Sequence, residues 1–194
     1  MPSDDLPLFL AVDFQLSVLA TPWHDPEFYV QEITGTLKAI TSDTEEPLGT
    51  IQLLLAHATQ ALNNRIHLAD VCDAHSDYMV SVYNALFDET GETKPELDIE
   101  PAWNDILVLL EFDVPDEFRS TGCVVRAFET AITTFASADL IVAAMEGKLH
   151  DFDGLDLTVD EWRQLGFKRI AGSQFAFRET CRINPYGIDD IEQD

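Results

Sequence analysis

The chain is poor in basic residues, and this scarcity bears on its partners. Its 11 lysines and arginines stand against 36 acidic residues, which gives a formal net charge of -25 over 194 residues. Nucleic-acid binding needs Lys and Arg to displace counterions from phosphate, so no nucleic-acid partner is expected. An acidic surface fits either simple solubility or the attraction of cationic partners, and composition leaves both interpretations open.

Cysteines are few and long apolar segments are lacking. The 3 cysteines lie far apart without a C-x-x-C pair, so the sequence predicts neither a disulfide framework nor a zinc ribbon. The apolar run at residues 6–20 is interrupted by Asp13 and Gln15 and follows acidic residues. It is too short and polar to span a bilayer and lacks the positive charge of a secretory signal. We therefore expect a cytoplasmic protein that does not enter the membrane.

The first half of the chain predicts a hairpin followed by a helix. Residues 28–40 read as a strand, the polar residues 41–47 as a turn, and residues 49–62 as the partner strand. The apolar positions of residues 49–62 also fit helical spacing, so a helix is the alternative. A further short strand is expected at residues 65–73. Ser76 then offers an N-cap to a helix whose apolar residues recur at helical spacing and which ends near Gly91.

The second half predicts a buried sheet with covering helices. Residues 106–110 form an unbroken aliphatic run, typical of a central strand covered on both faces. A helix at residues 122–135, a buried strand at 138–145, a helix at 158–165 and a hairpin at 168–178 follow. Together these elements predict an α+β fold, with a mixed, largely antiparallel sheet flanked by helices.

The connection between the central strand and the next helix is a candidate phosphate site. Gly122 permits close approach of a ligand to the backbone, and Arg119 adds a fixed positive charge. The unpaired amides at a helix N-terminus attract phosphate. A plain strand–turn–helix connection, in which Gly122 merely relieves backbone strain, is the alternative.

The order of these segments resembles the GNAT superfamily of acyl-CoA-dependent N-acyltransferases. The corresponding motifs are Val114-Pro115 at the strand end, Arg119-x-x-Gly122-x-Val124 at the pyrophosphate turn, and Trp162-x-x-x-Gly166-Phe167 in the last helix. The resemblance implies a single GNAT-like domain over residues 1–182, with a divergent amino-terminal part at 1–75 and a cofactor-binding half at 105–178. Residues 183–194 form an acidic tail.

The resemblance also implies a co-substrate and a set of site residues. Acetyl-CoA or CoA would be held by Val114, Arg119, Ser120, Thr121, Gly122, Cys123 and Val124. Glu111 is the candidate general base, with Asp113 second; strand alternation puts both on one face, as in a paired-carboxylate site or a solvated strand end. The expected acceptor is a small cationic amine or a basic protein segment, and no metal is expected. The polar cluster His67, Cys72, Asp73 and His75 matches no standard zinc spacing.

Three departures from the family pattern bear on activity. Val124 stands where the turn usually has a second small residue, and Trp162 stands where many members have a tyrosine acid, a role that an indole cannot fill. The two helices expected between the first two strands are replaced by the turn at residues 41–47. Two hypotheses follow: an N-acetyltransferase that works by direct attack of the amine, or an inactive GNAT-like module that binds a ligand or a basic protein.

Overall fold

The computed structural model describes residues 9–16, 25–41, 44–99, 105–115, 118, 122–135, 140–145, 148–149, 152–153 and 155–180. Within these ranges the strands are β1 (Phe9–Leu16), β2 (Val30–Ile40), β3 (Glu45–Ala56), β4 (Ile106–Asp113), β5 (Leu140–Ala144), β6 (Lys148–Leu149), β7 (Phe152–Asp153), β8 (Lys168–Arg169) and β9 (Phe175–Glu179). The α-helices are α1 (Ala58–Asn63), α2 (Leu68–His75), α3 (Asp77–Leu86), α4 (Cys123–Thr134) and α5 (Val159–Gln164). Short 3-10 turns lie at Pro26–Tyr29 and Pro95–Leu97.

A seven-stranded sheet organises the described residues, in the order β1-β2-β3-β4-β5-β9-β8. Neighbours are antiparallel except β4 and β5, which are parallel and joined through α4, as a parallel pair requires a crossover. β6 and β7 form a separate small hairpin. The α+β class and the mixed, largely antiparallel sheet with flanking helices are thus confirmed, and the layout is consistent with a GNAT-like fold.

Each face of the sheet has its own apolar core. We call the layer between the sheet and α4 and α5 the first core cluster; it includes Ile33, Leu53, Leu109, Phe128 and Trp162. The second core cluster lies between the sheet and α1, α2 and α3, and it includes Tyr29, Leu54, Val71, Met79 and Val142. β4 and β5 contribute to both clusters, which explains why their sequences are continuously aliphatic.

The amino-terminal expectations need two corrections. The first strand is β1, within the apolar run that the sequence analysis left without an assigned structure, so the connection between the first two strands is residues 17–29. The turn after residue 40 instead joins β2 to β3, where the Thr41 amide donates to the Thr44 carbonyl at 2.9 Å. The strand predicted at 49–62 is right as far as Ala56, after which α1 begins at Ala58.

The short strand predicted at residues 65–73 is wrong, because that segment leads into α2. Leu68, Val71 and Cys72 follow helical spacing, and the last two are fully buried in the second core cluster. Burial of one helical face therefore outweighs the local strand pattern. The next prediction is confirmed: Ser76 caps α3 by accepting a hydrogen bond from the Met79 amide, although α3 ends at Leu86, earlier than expected.

No helix among the described residues is long and apolar enough to cross a membrane.

Candidate active site

A β-bulge in β4 sets the direction of the two candidate catalytic carboxylates. The register with β3 shifts beside Gln52, which pairs with Glu111, so that Leu110 is an extra residue on β4. Leu110 packs into the second core cluster and Phe112 into the first. If side chains alternated regularly after Leu110, Glu111 would point toward α4. The extra residue at the bulge shifts the alternation by one, so that Glu111 points to the same face as Leu110. Glu111 and Asp113 therefore point away from α4, and both are exposed. Bulges commonly re-aim side chains beside active sites.

The two carboxylates belong to a polar part of the sheet, which we call the polar half-face. It comprises the outward residues that alternate with the first core cluster: Asp13, Glu32, Thr34, Thr36, Lys38, Thr50, Gln52, Glu111 and Asp113. The Lys38 ammonium lies 2.5 Å from Asp13 and 2.5 Å from Glu45, and these hydrogen bonds, that of Asp13 first, raise the pKa of Lys38 above its usual value. Because acidic residues outnumber Lys38 here, the polar half-face attracts cations.

The corner between α2 and α3 borders the polar half-face. His75 Nδ1 lies 3.0 Å from the Ser76 hydroxyl, and His75 Nε2 lies 3.9 Å from a carboxylate oxygen of Glu32. Burial lowers the pKa of His75, and Glu32 partly opposes that shift. His75 is therefore largely neutral at neutral pH, and the corner adds little positive charge to the acidic surface.

Helix α4 begins at the candidate phosphate turn. Gly122 has a left-handed conformation with φ +72°, and a Cβ at this position would meet no atom of the described residues within 4 Å, so the described part of the chain leaves the backbone open here. Cys123 is buried and its thiol donates a hydrogen bond to the Phe118 carbonyl, which closes the turn. Val124 is buried in the first core cluster, so its side chain does not occupy the open side of the turn. Val114 is likewise buried in that cluster. Arg119, Ser120 and Thr121 lie outside the described residues.

The ends of β4 and β5 separate, and Leu155 lies beside the gap. The parallel ladder ends at Leu109 and Ala143, while β4 continues to Asp113. The Met145 amide donates to the carbonyl of Gln174, the residue before β9, so the carbonyl of the same trans peptide, that of Ala144, points toward β4. It accepts a hydrogen bond of 2.9 Å from the Leu155 amide. Leu155 is 3% exposed and packs in the first core cluster, so it fills the position where another strand or an extended ligand could pair.

Tyr78 approaches the same point from the other face of the sheet, and sequence reasoning missed it. Its ring is fully buried and makes an edge-on contact with Phe175 of β9 at 5.7 Å. Burial raises the pKa of Tyr78 above its usual value, and a hydrogen bond with the Ala144 backbone partly opposes this rise. Because a buried tyrosine needs a polar partner for its hydroxyl, a tyrosine in a helix that packs against the core was the sequence feature that could have indicated this residue.

Trp162, which the resemblance aligns with a tyrosine acid, has a packing role in the structure. It is buried in the first core cluster, with its ring 5.3 Å from that of Phe167 in an edge-on contact. Nearby, the Arg178 guanidinium donates to the Leu165 carbonyl at 2.9 Å and to Glu129 at 2.6 Å, which ties the final strand to α4 and α5. The aromatic and ionic contacts support the fold around the gap without presenting an acid to it.

The four metal-capable side chains at His67, Cys72, Asp73 and His75, for which no metal site is expected, divide between core and surface. Burial raises the pKa of Cys72 to about 12, so its thiol is neutral and packs in the second core cluster. Among the described residues, no group of three His, Cys, Asp or Glu side chains is close enough to hold a metal ion.

No protein-family model, curated protein or solved structure matches the chain. Function must therefore be argued from the site, since one fold supports many activities.

Proposed function

We propose that the protein is a cytoplasmic N-acetyltransferase that moves an acetyl group from acetyl-CoA to a primary amine. The observation that carries this proposal is the separation of β4 from β5, next to the start of α4 and to the carboxylates of the polar half-face. These features bring together what the reaction needs: the edge of β4 beyond its ladder with β5, a helix start that can bind phosphate, and a base.

The cofactor would bind along the gap. The pantetheine arm of acetyl-CoA carries amides, which can pair with the edge of β4 beyond Leu109 in the way that an added strand pairs with a sheet. Its pyrophosphate would then meet the amides at the start of α4, where Gly122 leaves open space. Arg119, Ser120 and Thr121 complete the proposed cradle, together with Cys123 and Val124 through their backbone. Leu155 must leave the Ala144 carbonyl before the arm can enter.

The acceptor would approach over the polar half-face as a cation. Glu111, directly or through a water, removes a proton from the ammonium, and Asp113 supports the negative field. The neutral nitrogen attacks the thioester carbonyl carbon, and a backbone amide at the edge of β4 stabilises the developing oxyanion. The attacking nitrogen loses its second proton to solvent water, the carbon–sulfur bond breaks to give the neutral amide product, and CoA leaves as a thiolate. Tyr78, whose raised pKa keeps it protonated, donates a hydrogen bond to the departing sulfur.

A second function, an inactive GNAT-like binding module, is favoured by one observation. Leu155 is buried in the gap and hydrogen-bonded to Ala144, which is the arrangement expected if no cofactor enters. Trp162 in place of the tyrosine agrees with it. In that case the polar half-face would serve to engage a basic protein segment, with or without CoA as a structural ligand.

Two measurements distinguish these functions. Thiol release from acetyl-CoA is followed in the presence of spermidine or a lysine-rich peptide, and acetylated product is identified by mass. Calorimetry of acetyl-CoA at low and high salt tests the cofactor site separately. Because the net charge of -25 repels a polyanionic cofactor, binding should tighten as salt screens that repulsion. Binding without turnover would support the module with CoA as a ligand, and the absence of heat in both salts would refute the acetyltransferase and leave only the module that engages a basic protein without CoA.

A further inference from the structure

A second concave feature lies among α1, α2, α3 and the turn after α3, and we call it the helix cavity. Its volume is about 440 Å³, within the range of roughly 300 to 1,000 Å³ that is typical of small-molecule sites. Leu140 lines it at the start of β5 and pairs with Ile106 of β4. Because Ile106 and Glu111 are five residues apart on one strand, about 16 Å of backbone separates this cavity from the candidate active site.

The walls of the helix cavity are largely apolar. Leu62, Ile66, Phe87 and Ile99 line it, and the rings of Tyr83 and Phe87 stack with centroids 5.0 Å apart. Leu62 is 38% exposed, although large aliphatic side chains elsewhere in the described chain are mostly buried. An exposed leucine at the edge of an apolar cavity offers surface that a ligand can cover. The walls therefore suit the ring or short alkyl part of a small molecule.

The polar lining of the helix cavity is acidic. Asp70 and Glu89 both line it and are exposed, and His67 lies beside them. Tyr83 has a raised pKa, owing first to burial and then to neighbouring groups that include Asp70. Arg65 is exposed on the adjoining turn outside the lining, while the Lys94 ammonium bonds to a backbone carbonyl of α3 at 2.7 Å. A ligand at this edge therefore meets carboxylates next to an apolar interior.

We propose that the helix cavity binds a small primary amine that carries an apolar ring. The ring lies against Leu62, Phe87 and Ile99, and the ammonium stays at the solvated edge between Asp70 and Glu89. A charge left partly in water avoids the cost of full burial, while an apolar ring gains by leaving water. An anion of the same size is repelled, and a neutral analogue lacks the ion pair. This site is independent of the proposed acetyl transfer, because nothing in it requires acyl-CoA.

Three matched probes test the proposal on the intact protein: phenethylamine, the neutral isostere 2-phenylethanol and the anion phenylacetate. Carbon-13 methyl spectra follow the resonances of Leu62, Ile66 and Ile99 during each titration. We expect phenethylamine to shift these resonances with an affinity about threefold to fivefold higher than that of 2-phenylethanol, the range of one exposed ion pair. Phenylacetate should bind weakest. Equal affinity for the amine and the alcohol, or shifts confined to residues of the polar half-face, would overturn the proposal.

Two kinds of variant test separately how the charge and the open volume of the helix cavity affect binding. Asp70→Asn should reduce the preference for phenethylamine over 2-phenylethanol about threefold and leave the affinity for the alcohol unchanged. Asp73→Asn is the matched control, because Asp73 is exposed on the same helix and does not line the cavity. Ala69→Leu adds bulk to the lining and should weaken both ligands. Loss of the preference in the Asp73 variant, or no binding of any probe at millimolar concentration to the folded protein, would refute the assigned site.

Discussion

Replacing Leu155 with alanine should strengthen acetyl-CoA binding even though it weakens the fold. Leu155 fills the gap between β4 and β5, where the proposed cofactor arm would lie, and its amide bonds to Ala144. The wild-type protein must open this contact before the cofactor enters. The apparent affinity is lowered by the fraction of molecules that are open. Truncation of the side chain raises that fraction.

The size of the effect follows from the two contacts that Leu155 makes. A backbone hydrogen bond contributes about 0.5 to 1.5 kcal/mol net, and exposing a buried leucine costs about 1.5 to 3 kcal/mol. Opening therefore costs roughly 2 to 4.5 kcal/mol, which corresponds to an open fraction between about one in thirty and about one in two thousand. Alanine removes most of the contribution that the buried leucine side chain makes to the free energy of opening. The affinity for acetyl-CoA should therefore rise about tenfold or more.

Calorimetry of acetyl-CoA with purified variants measures this gain, and Leu165→Ala is the control. Leu165 is fully buried in the same core cluster but lies at the end of α5, and its amide donates to the Glu161 carbonyl and not to Ala144. Both variants should lose roughly 2 to 5 kcal/mol of stability, so general loosening of the core would affect them alike. An unchanged or weaker affinity in Leu155→Ala, or an equal gain in Leu165→Ala, would refute the idea that Leu155 blocks the cofactor.

Three further outcomes are expected. Glu111→Gln should lower turnover of spermidine about a hundredfold with little change in the KM for acetyl-CoA, and Asp113→Asn should lower it less; equal losses would contradict the assignment. Gly122→Asp should bind acetyl-CoA more weakly than Gly122→Asn in calorimetry, since both share the strain of φ +72° and only Asp adds an anion. The lowered native pKa of His75 makes stability fall as pH drops below its unfolded value of 6.5, and denaturant unfolding of His75→Gln should show a smaller decline.

Elements with strong local patterns were predictable from the sequence. The aliphatic run of β4 and the Ser76 cap of α3 both rest on interactions within one segment. β1 was not predicted although Leu10, Val12 and Phe14 alternate, because the apolar residues Phe9 and Ala11 obscure the period of two. α2 was missed since eight residues carry little periodicity, and its helical form depends on packing against distant strands.

The candidate site was predictable only in part, because its geometry depends on contacts between segments. The spacing of Glu111 and Asp113 correctly puts them on one face, yet the choice of face is made by the bulge at Leu110, which has no local sequence mark. The role of Leu155 depends on where β4 and β5 separate. That point is fixed by the register of two strands that are distant in sequence, so no motif near Leu155 indicates it.

The contact between Leu155 and Ala144 also indicates what a ligand would have to replace. A buried carbonyl requires a partner, and Ala144 obtains one from the Leu155 amide once β4 has diverged. If an amide of the cofactor arm takes that place, one hydrogen bond is exchanged for another of similar strength. The hydrogen bond then contributes little to the balance between the closed and the bound state. The free-energy difference between the closed and the bound state then comes mainly from the leucine side chain, because this side chain leaves its buried site on opening. Leu155→Ala changes this term and retains the backbone amide, so it tests the competition directly.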